Sequence, residues 1–119
     1  MIREIEFFEN HFIDFYEEQD KKVQEKIEYV FRIVRNIPNI PKKFLTKITD
    51  VDGLFEMRIE YGNNIYRIFS CFDEGNLVIL FNGFQKKTQK TPKTEIDRAK
   101  RLMKKYFKNK KDKNGDKKS

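Results

Sequence analysis

The residues predict an α+β domain, an N-terminal helical hairpin packed on a small antiparallel sheet and followed by a C-terminal helix. Three observations carry this. Phe8, Phe12, Phe15 and Tyr16, then Val23, Ile27, Val30, Phe31 and Val34, form two early apolar stripes at helical spacing. After Asp50-Val51-Asp52-Gly53 the period changes to two, with Phe55, Met57, Ile59 and Tyr61 alternating with Glu56, Arg58 and Glu60. A third helical stripe, Ile96, Ala99, Met103 and Tyr106, closes the pattern. A chain of 119 residues fits one domain, and its 12 Phe and 5 Tyr must fill much of the interior.

Ile2–Phe7 reads either as a short first strand or as the entry to a helix. Asn10 is placed to cap a helix over roughly 11–18, and Asp20 to cap the next, which Asn36 and Pro38 end. Both helices have one apolar face, so they form a hairpin laid over something flat. Residues 39–49 read as a connection containing a helical turn through Lys42–Leu45. Taking Asn63-Asn64 as the two turn residues, Tyr61 faces Tyr66, Glu60 faces Arg67 and Arg58 faces Phe69. Asp73-Glu74-Gly75-Asn76 makes a second hairpin turn, and Leu77–Phe81 follows as a buried third strand that Asn82-Gly83 ends. Thr91 and Pro92 suit the start of the last helix. The division is therefore 1–107 as the folded domain and 108–119 as a basic, disordered tail without a hydrophobic residue.

Charge is unevenly spread along the chain, whose net charge is +7. Residues 1–34 hold 5 basic and 9 acidic side chains, whereas residues 86–107 hold 9 basic and 2 acidic. A polyanion suits the positive part, although a solvated helix face accounts for lysines of this kind as well. The single cysteine, Cys71, has no internal disulfide partner and sits in strand-like surroundings, which fits a small packed side chain. No apolar run is long enough for a signal peptide or a membrane span, so the expected compartment is the cytoplasm. His11, the lone histidine, reads as a surface or capping residue.

Arg58 and Arg67 fall on one sheet face with Glu56 and Glu60, while Lys86, Lys87 and Lys90 follow the third strand. Cross-strand pairing with the two glutamates would explain the arginines. It does not explain Lys86 and Lys87, which have no acid nearby in sequence until Glu95. Fixed cations suit a phosphodiester, whose oxygens gain negative charge in the transition state. In RNA the 2′-hydroxyl can attack, so neither metal nor protein nucleophile is required. The sequence has no metal-ligand spacing, no P-loop and no GxSxG, and no cofactor is expected.

The run GLFEMRIEYGNNIYRIFSCFDEGNLVILFNGFQKKTQKTPKTEI, Gly53–Ile96, closely resembles the HigB branch of the RelE/ParE toxin superfamily. The likeness extends back to about Gln19, and GF-KKTQKTP after an apolar strand is its most specific part. It implies two N-terminal helices against a twisted antiparallel sheet with a C-terminal helix. It also implies the toxin of a type II toxin–antitoxin module, a ribosome-dependent endoribonuclease that cuts translated mRNA. The implied partner is a helix-turn-helix antitoxin of HigA type, with operator DNA reached only through it. Arg67 in IYRIF matches the arginine that the family places against the scissile phosphate. Arg58 matches a strand position that is often basic, and Lys86 and Lys87 match the basic residues ending the last strand. On this reading Lys90, Lys93, Lys100, Arg101 and Lys104 carry RNA and ribosome docking through phosphate contacts. The chain departs from the family in having no histidine near the sheet and in carrying Glu56 and Glu60 on a strand that is usually more basic. The general base stays open among Glu56, Glu60 and a lysine beside Arg67. A ParE-like gyrase inhibitor without nuclease activity, and a non-catalytic basic nucleic-acid-binding module, are the alternatives.

Overall fold

A computed structural model describes the backbone of residues 1–116 and the side chains of residues 1–113. The order is β1 (Glu4–Phe7), α1 (His11–Glu17), α2 (Lys21–Asn36), β2 (Leu45–Lys47), β3 (Phe55–Tyr61), β4 (Asn64–Asp73), β5 (Leu77–Lys86) and α3 (Lys93–Asp116). The five strands form one sheet in the order β1-β5-β4-β3-β2.

The architecture is α+β, with two corrections. A strand precedes the helical hairpin, so the chain is not helix-first. That strand also runs parallel to β5, with Glu4 opposite Leu77 and Phe7 opposite Leu80, so the sheet is mixed and not purely antiparallel. The pairing joins residues too distant in sequence for any local pattern to announce it. The two helices follow the sequence closely. Asp20 accepts a hydrogen bond from the Val23 amide at 3.1 Å, capping α2. Val23, Ile27, Val30, Phe31 and Val34 are all buried. Asn10 makes no side-chain cap at α1. The far end of α2 is closed by Arg3, whose guanidinium donates to the carbonyls of Val34, Ile37 and Pro38 at 2.7–2.9 Å. A cation there also meets the negative end of the helix dipole.

The β3–β4 hairpin turns at Gly62-Asn63, not at Asn63-Asn64. Gly62 has φ +60°, as the first central residue of a II′ turn requires. Tyr61 therefore faces Asn64, Ile59 faces Tyr66 and Arg58 faces Arg67. This register differs from the expected one by two residues, so every side chain keeps its expected face. The second turn, Glu74–Asn76, is a short 3-10 segment that Asp73 caps through the Glu74 amide. Residues 41–46 make a turn that feeds the short edge strand β2, not a helical connection alone.

β5 does not stop at Phe81. A bulge near Asn82 breaks the register between Ile68 opposite Gly83 and Ser70 opposite Leu80, and the strand continues to Lys86. The extra residue puts both Phe81 and Phe84 on the α3 face. Gly83 then lies against α1, where an added Cβ would stand 2.6 Å from the Phe15 ring. Two cores result. Phe12, Phe15, Ile27, Val30, Met57 and Ile68 pack between the sheet and α1–α2. Leu54, Phe69, Cys71, Phe81, Ala99 and Leu102 pack between its other face and α3. α3 itself runs on to Asp116 through residues expected to be a disordered tail, and Lys110 anchors that extension on Asp73 at 2.9 and 3.0 Å. Residues 117–119 of that tail lie outside the described part. Among the described residues no helix is long and apolar enough to cross a membrane.

Candidate functional site

Arg58, Arg67, Lys86 and Lys87 line one open cleft of about 670 Å³, together with Glu60, Asn63, Ile65, Thr88 and Gln89. Alternation and register explain the convergence. Arg58 on β3 faces Arg67 on β4, Arg67 faces Phe84 on β5, and Lys86 lies two residues further along the same face, opposite Ile65. The continuation of β5 beyond the bulge brings Lys86 to the cleft, and Lys87 starts the loop at its rim.

The two arginines differ in environment. Arg67 is 2% exposed and Arg58 is half-buried. The Arg67 guanidinium donates to the Tyr66 carbonyl at 3.0 Å, while its Nε is buried without a hydrogen-bond partner. The stacked rings of Phe69 and Phe84, 5.7 Å apart, lie on the same face. Glu56, also buried, reaches both guanidinia, with Oε1 3.7 Å from Arg58 Nε and 3.6 Å from Arg67 Nε. Burial, and next the facing Arg58, hold Arg67 below the usual arginine range, against the pull of Glu56 and Glu60. It remains a cation at neutral pH. The pairing with both glutamates expected from sequence is thus realised with one. Glu56 lies behind the guanidinia, and Glu60 stays exposed at the cleft. Glu56 Oε2 and Arg58 Nε are also buried without partners, so the polar groups here exceed what the protein alone satisfies.

Lys90, Lys93, Lys100, Arg101 and Lys104 are exposed but do not line this cleft. Lys90 is in the loop, and Lys93, Lys100 and Lys104 follow one side of α3 at helical spacing, with Arg101 beside them. His11 lies outside the cleft too, held between Glu9 at 2.8 Å and Arg98 at 3.1 Å. Cys71 is buried and its thiol is pushed up to about 12, mainly by burial, so it is no nucleophile. Among the described residues, no group of three or more His, Cys, Asp or Glu side chains is placed to hold a metal ion.

Two features escaped sequence reasoning. Asn82, at the bulge, is buried and donates to the Glu95 side chain at 3.0 Å, tying β5 to the first turn of α3. The only sequence signal was Asn-Gly inside an apolar run, which reads equally as a strand end. The second is an aromatic pair, Tyr29 and Phe44, beside the cleft. Those residues lie on different elements and nothing local joins them.

The model of the phage-derived protein Gp49-like family (DUF891) matches residues 14–104. The chain belongs to that family. No curated protein matches it. Among solved structures, this Gp49-like chain resembles a chain of the archaeal RelE–RelB complex from Pyrococcus horikoshii OT3, with a TM-score of 0.52 and 13% identity. The likeness covers 70% of the present chain and 93% of the archaeal one. At that identity the two share a fold, so the Gp49-like chain has a RelE-like architecture. The matched family segment contains α2, the whole β3–β4–β5 meander and the cleft it builds.

Proposed function

We propose that this Gp49-like protein is the toxin of a type II toxin–antitoxin module, of HigB type, and that it cuts mRNA on the ribosome without a metal ion. The observation that carries the reading is the gathering of Arg58, Arg67, Lys86 and Lys87 into one open cleft over a buried carboxylate. Such a cleft is built for a phosphodiester. The Arg58 guanidinium faces the non-bridging oxygens, where charge grows as the 2′-oxygen attacks phosphorus, and the buried Arg67 adds its charge from beneath. Glu56 offsets part of the guanidinium charge from behind. Glu60, the carboxylate that lines the open space, takes the 2′-hydroxyl proton. A lysine ammonium at the rim protonates the departing 5′-oxygen, leaving a 2′,3′-cyclic phosphate and a 5′-hydroxyl. The exposed cations of α3 hold flanking RNA or ribosomal phosphate. The RelE-like fold and the RelE–RelB neighbour support a partner antitoxin, of helix-turn-helix type on this reading, through which operator DNA is reached.

The test is induced expression of wild type beside the Lys86→Ala/Lys87→Ala double variant and Arg67→Ala, reading growth, mRNA ends and DNA supercoiling. Both lysines lie at the rim, so the double variant should fold normally, which thermal melting checks. Growth arrest with cuts inside translated mRNA, lost in both variants, is the expected result. Arrest with intact mRNA and altered supercoiling would replace the nuclease by a gyrase inhibitor.

A further inference from the structure

The phosphate cleft continues around the sheet edge into a second concavity of about 360 Å³, and Arg58 and Glu60 line both. Its other walls include Lys26 and Tyr29 from α2 and Lys43 and Phe44 from the turn before β2. β2 is only three residues long, so the end of β3 beyond Arg58 has no strand on that side, and the opening forms there. Phe44 is fixed beside the cleft because its carbonyl accepts the Arg58 amide at 2.8 Å.

The two rings meet edge-on, with centroids 6.2 Å apart and planes at 69°. Tyr29 is 40% exposed, and besides the Phe44 ring the Arg32 guanidinium also lies over it, with Cζ 5.9 Å from the centroid. Cations surround the pair. Lys26 Nζ lies 4.7 Å from the Tyr29 centroid and Lys43 Nζ lies 5.0 Å from that of Phe44. An exposed ring, flexible lysines and an adjoining phosphate site make up what single-stranded nucleic acid uses: a base stacks on the ring while its phosphate meets the cations. The lysine ammonium over Tyr29 can swing from the ring face to the backbone phosphate, freeing the face for the base.

We infer that Tyr29, supported by Phe44 and flanked by Lys26 and Lys43, is a stacking subsite for an unpaired nucleobase next to the phosphate held by Arg58 and Arg67. This rests on the reading of the cleft as an RNA site. The subsite takes any base, because every base has a π-face. It gives binding energy and strand direction without reading sequence.

The test uses short 2′-O-methyl ribo-oligonucleotides, which cannot be cut, at low salt. One series carries 2-aminopurine, whose fluorescence is quenched by stacking, at each position in turn. A second series carries an abasic residue at each position. The protein has no Trp, so the probe is read without interference. In wild type, one position should be quenched on binding, and an abasic residue there should weaken affinity roughly tenfold. Tyr29→Ala should remove both effects with unchanged melting, whereas Tyr29→Phe should keep them. Lys86→Ala/Lys87→Ala should weaken affinity for every oligonucleotide and leave the quenched position unchanged. If wild type binds and the lysine pair matters, but neither Tyr29→Ala nor any abasic position does, the stacking subsite is wrong and the cleft reading stands. If wild type binds none of these RNAs, the stacking subsite falls, and the reading of the cleft is decided by the expression test of ribosomal mRNA cleavage.

Discussion

Arg58 and Arg67 stand directly opposite one another across the β3–β4 hairpin, with the buried Glu56 carboxylate reaching both. Like charges so placed are locally destabilising. Glu56 relieves part of that and leaves a net positive site, open on one side. Glu56→Gln keeps the shape and removes the counter-charge, so it should lower stability by about 2 kcal/mol. Arg58→Ala in the same chain should recover part of the loss, because it removes the repulsion that Glu56 no longer offsets. A double-mutant cycle by urea unfolding measures this, and additive losses would show that the three groups are not coupled.

Glu60 and Glu56 should separate in function although they share a strand face. Glu60 is exposed at the cleft, so Glu60→Gln should leave melting unchanged and lower kcat about 100-fold if it takes the 2′-hydroxyl proton. Single-turnover cleavage on programmed ribosomes is the measurement. An unchanged rate would remove Glu60 from the chemistry.

Gly83 is required by contact and not by backbone conformation. A Cβ there would meet Cδ2 of Phe15 at 2.6 Å, a distance that forces the α1 core to move. Gly83→Ala should cost about 1–3 kcal/mol. Pairing it with Phe15→Leu, which shortens the opposing side chain, should make the alanine nearly neutral relative to Phe15→Leu alone. Melting of the three variants against wild type decides this.

Asp73 should make the protein acid-sensitive at the far end of the sheet. Burial raises its pKa, but hydrogen bonds from Lys110, Tyr106 and the Glu74 amide outweigh this and bring it below the ordinary value of 3.8. A lowered folded pKa means that the contribution is complete above the unfolded value and is lost as pH falls through the folded one. Asp73→Asn should therefore be less stable than wild type by about 1–2 kcal/mol at neutral pH, and the two should converge well below pH 3.8. Hydrogen exchange of the α3 backbone beyond Lys110 should quicken in the variant, since Lys110 anchors that segment on Asp73.

The helical parts of the fold were legible because α2 carries its own pattern: Asp20 begins it and five apolar residues mark its buried face. The hairpin faces were legible because any error of two residues preserves them. The exact turn is not legible because Gly62-Asn63 and Asn63-Asn64 both tolerate a positive φ. The residues of β1 fit a strand or a helix entry equally, and its pairing with β5 is not legible, since parallel neighbours leave no mark in the intervening sequence. The full length of β5 is hidden because Asn82-Gly83 looks like a turn, whereas Asn82 finds its partner on Glu95 of α3. Among the site residues, alternation placed Arg58 and Arg67, and charge marked Lys86 and Lys87. Neither could show that Arg67 is buried, because that depends on Phe84 reaching the same face after a bulge. The α3 cations were equally plain in sequence, but the folded chain leaves them outside the cleft.

The position of β5 sets an order of events during synthesis. It lies between β4 and β1, so a strand made late must enter beside one made at the outset. Until then β1 waits with both edges free, and its two glutamates, Glu4 and Glu6, discourage it from pairing with other chains. The same late strand delivers Lys86. Arg58, Arg67 and Lys86 thus come together only once most of the sheet has been translated, so the closing of that sheet and the completion of the cationic cleft are one step.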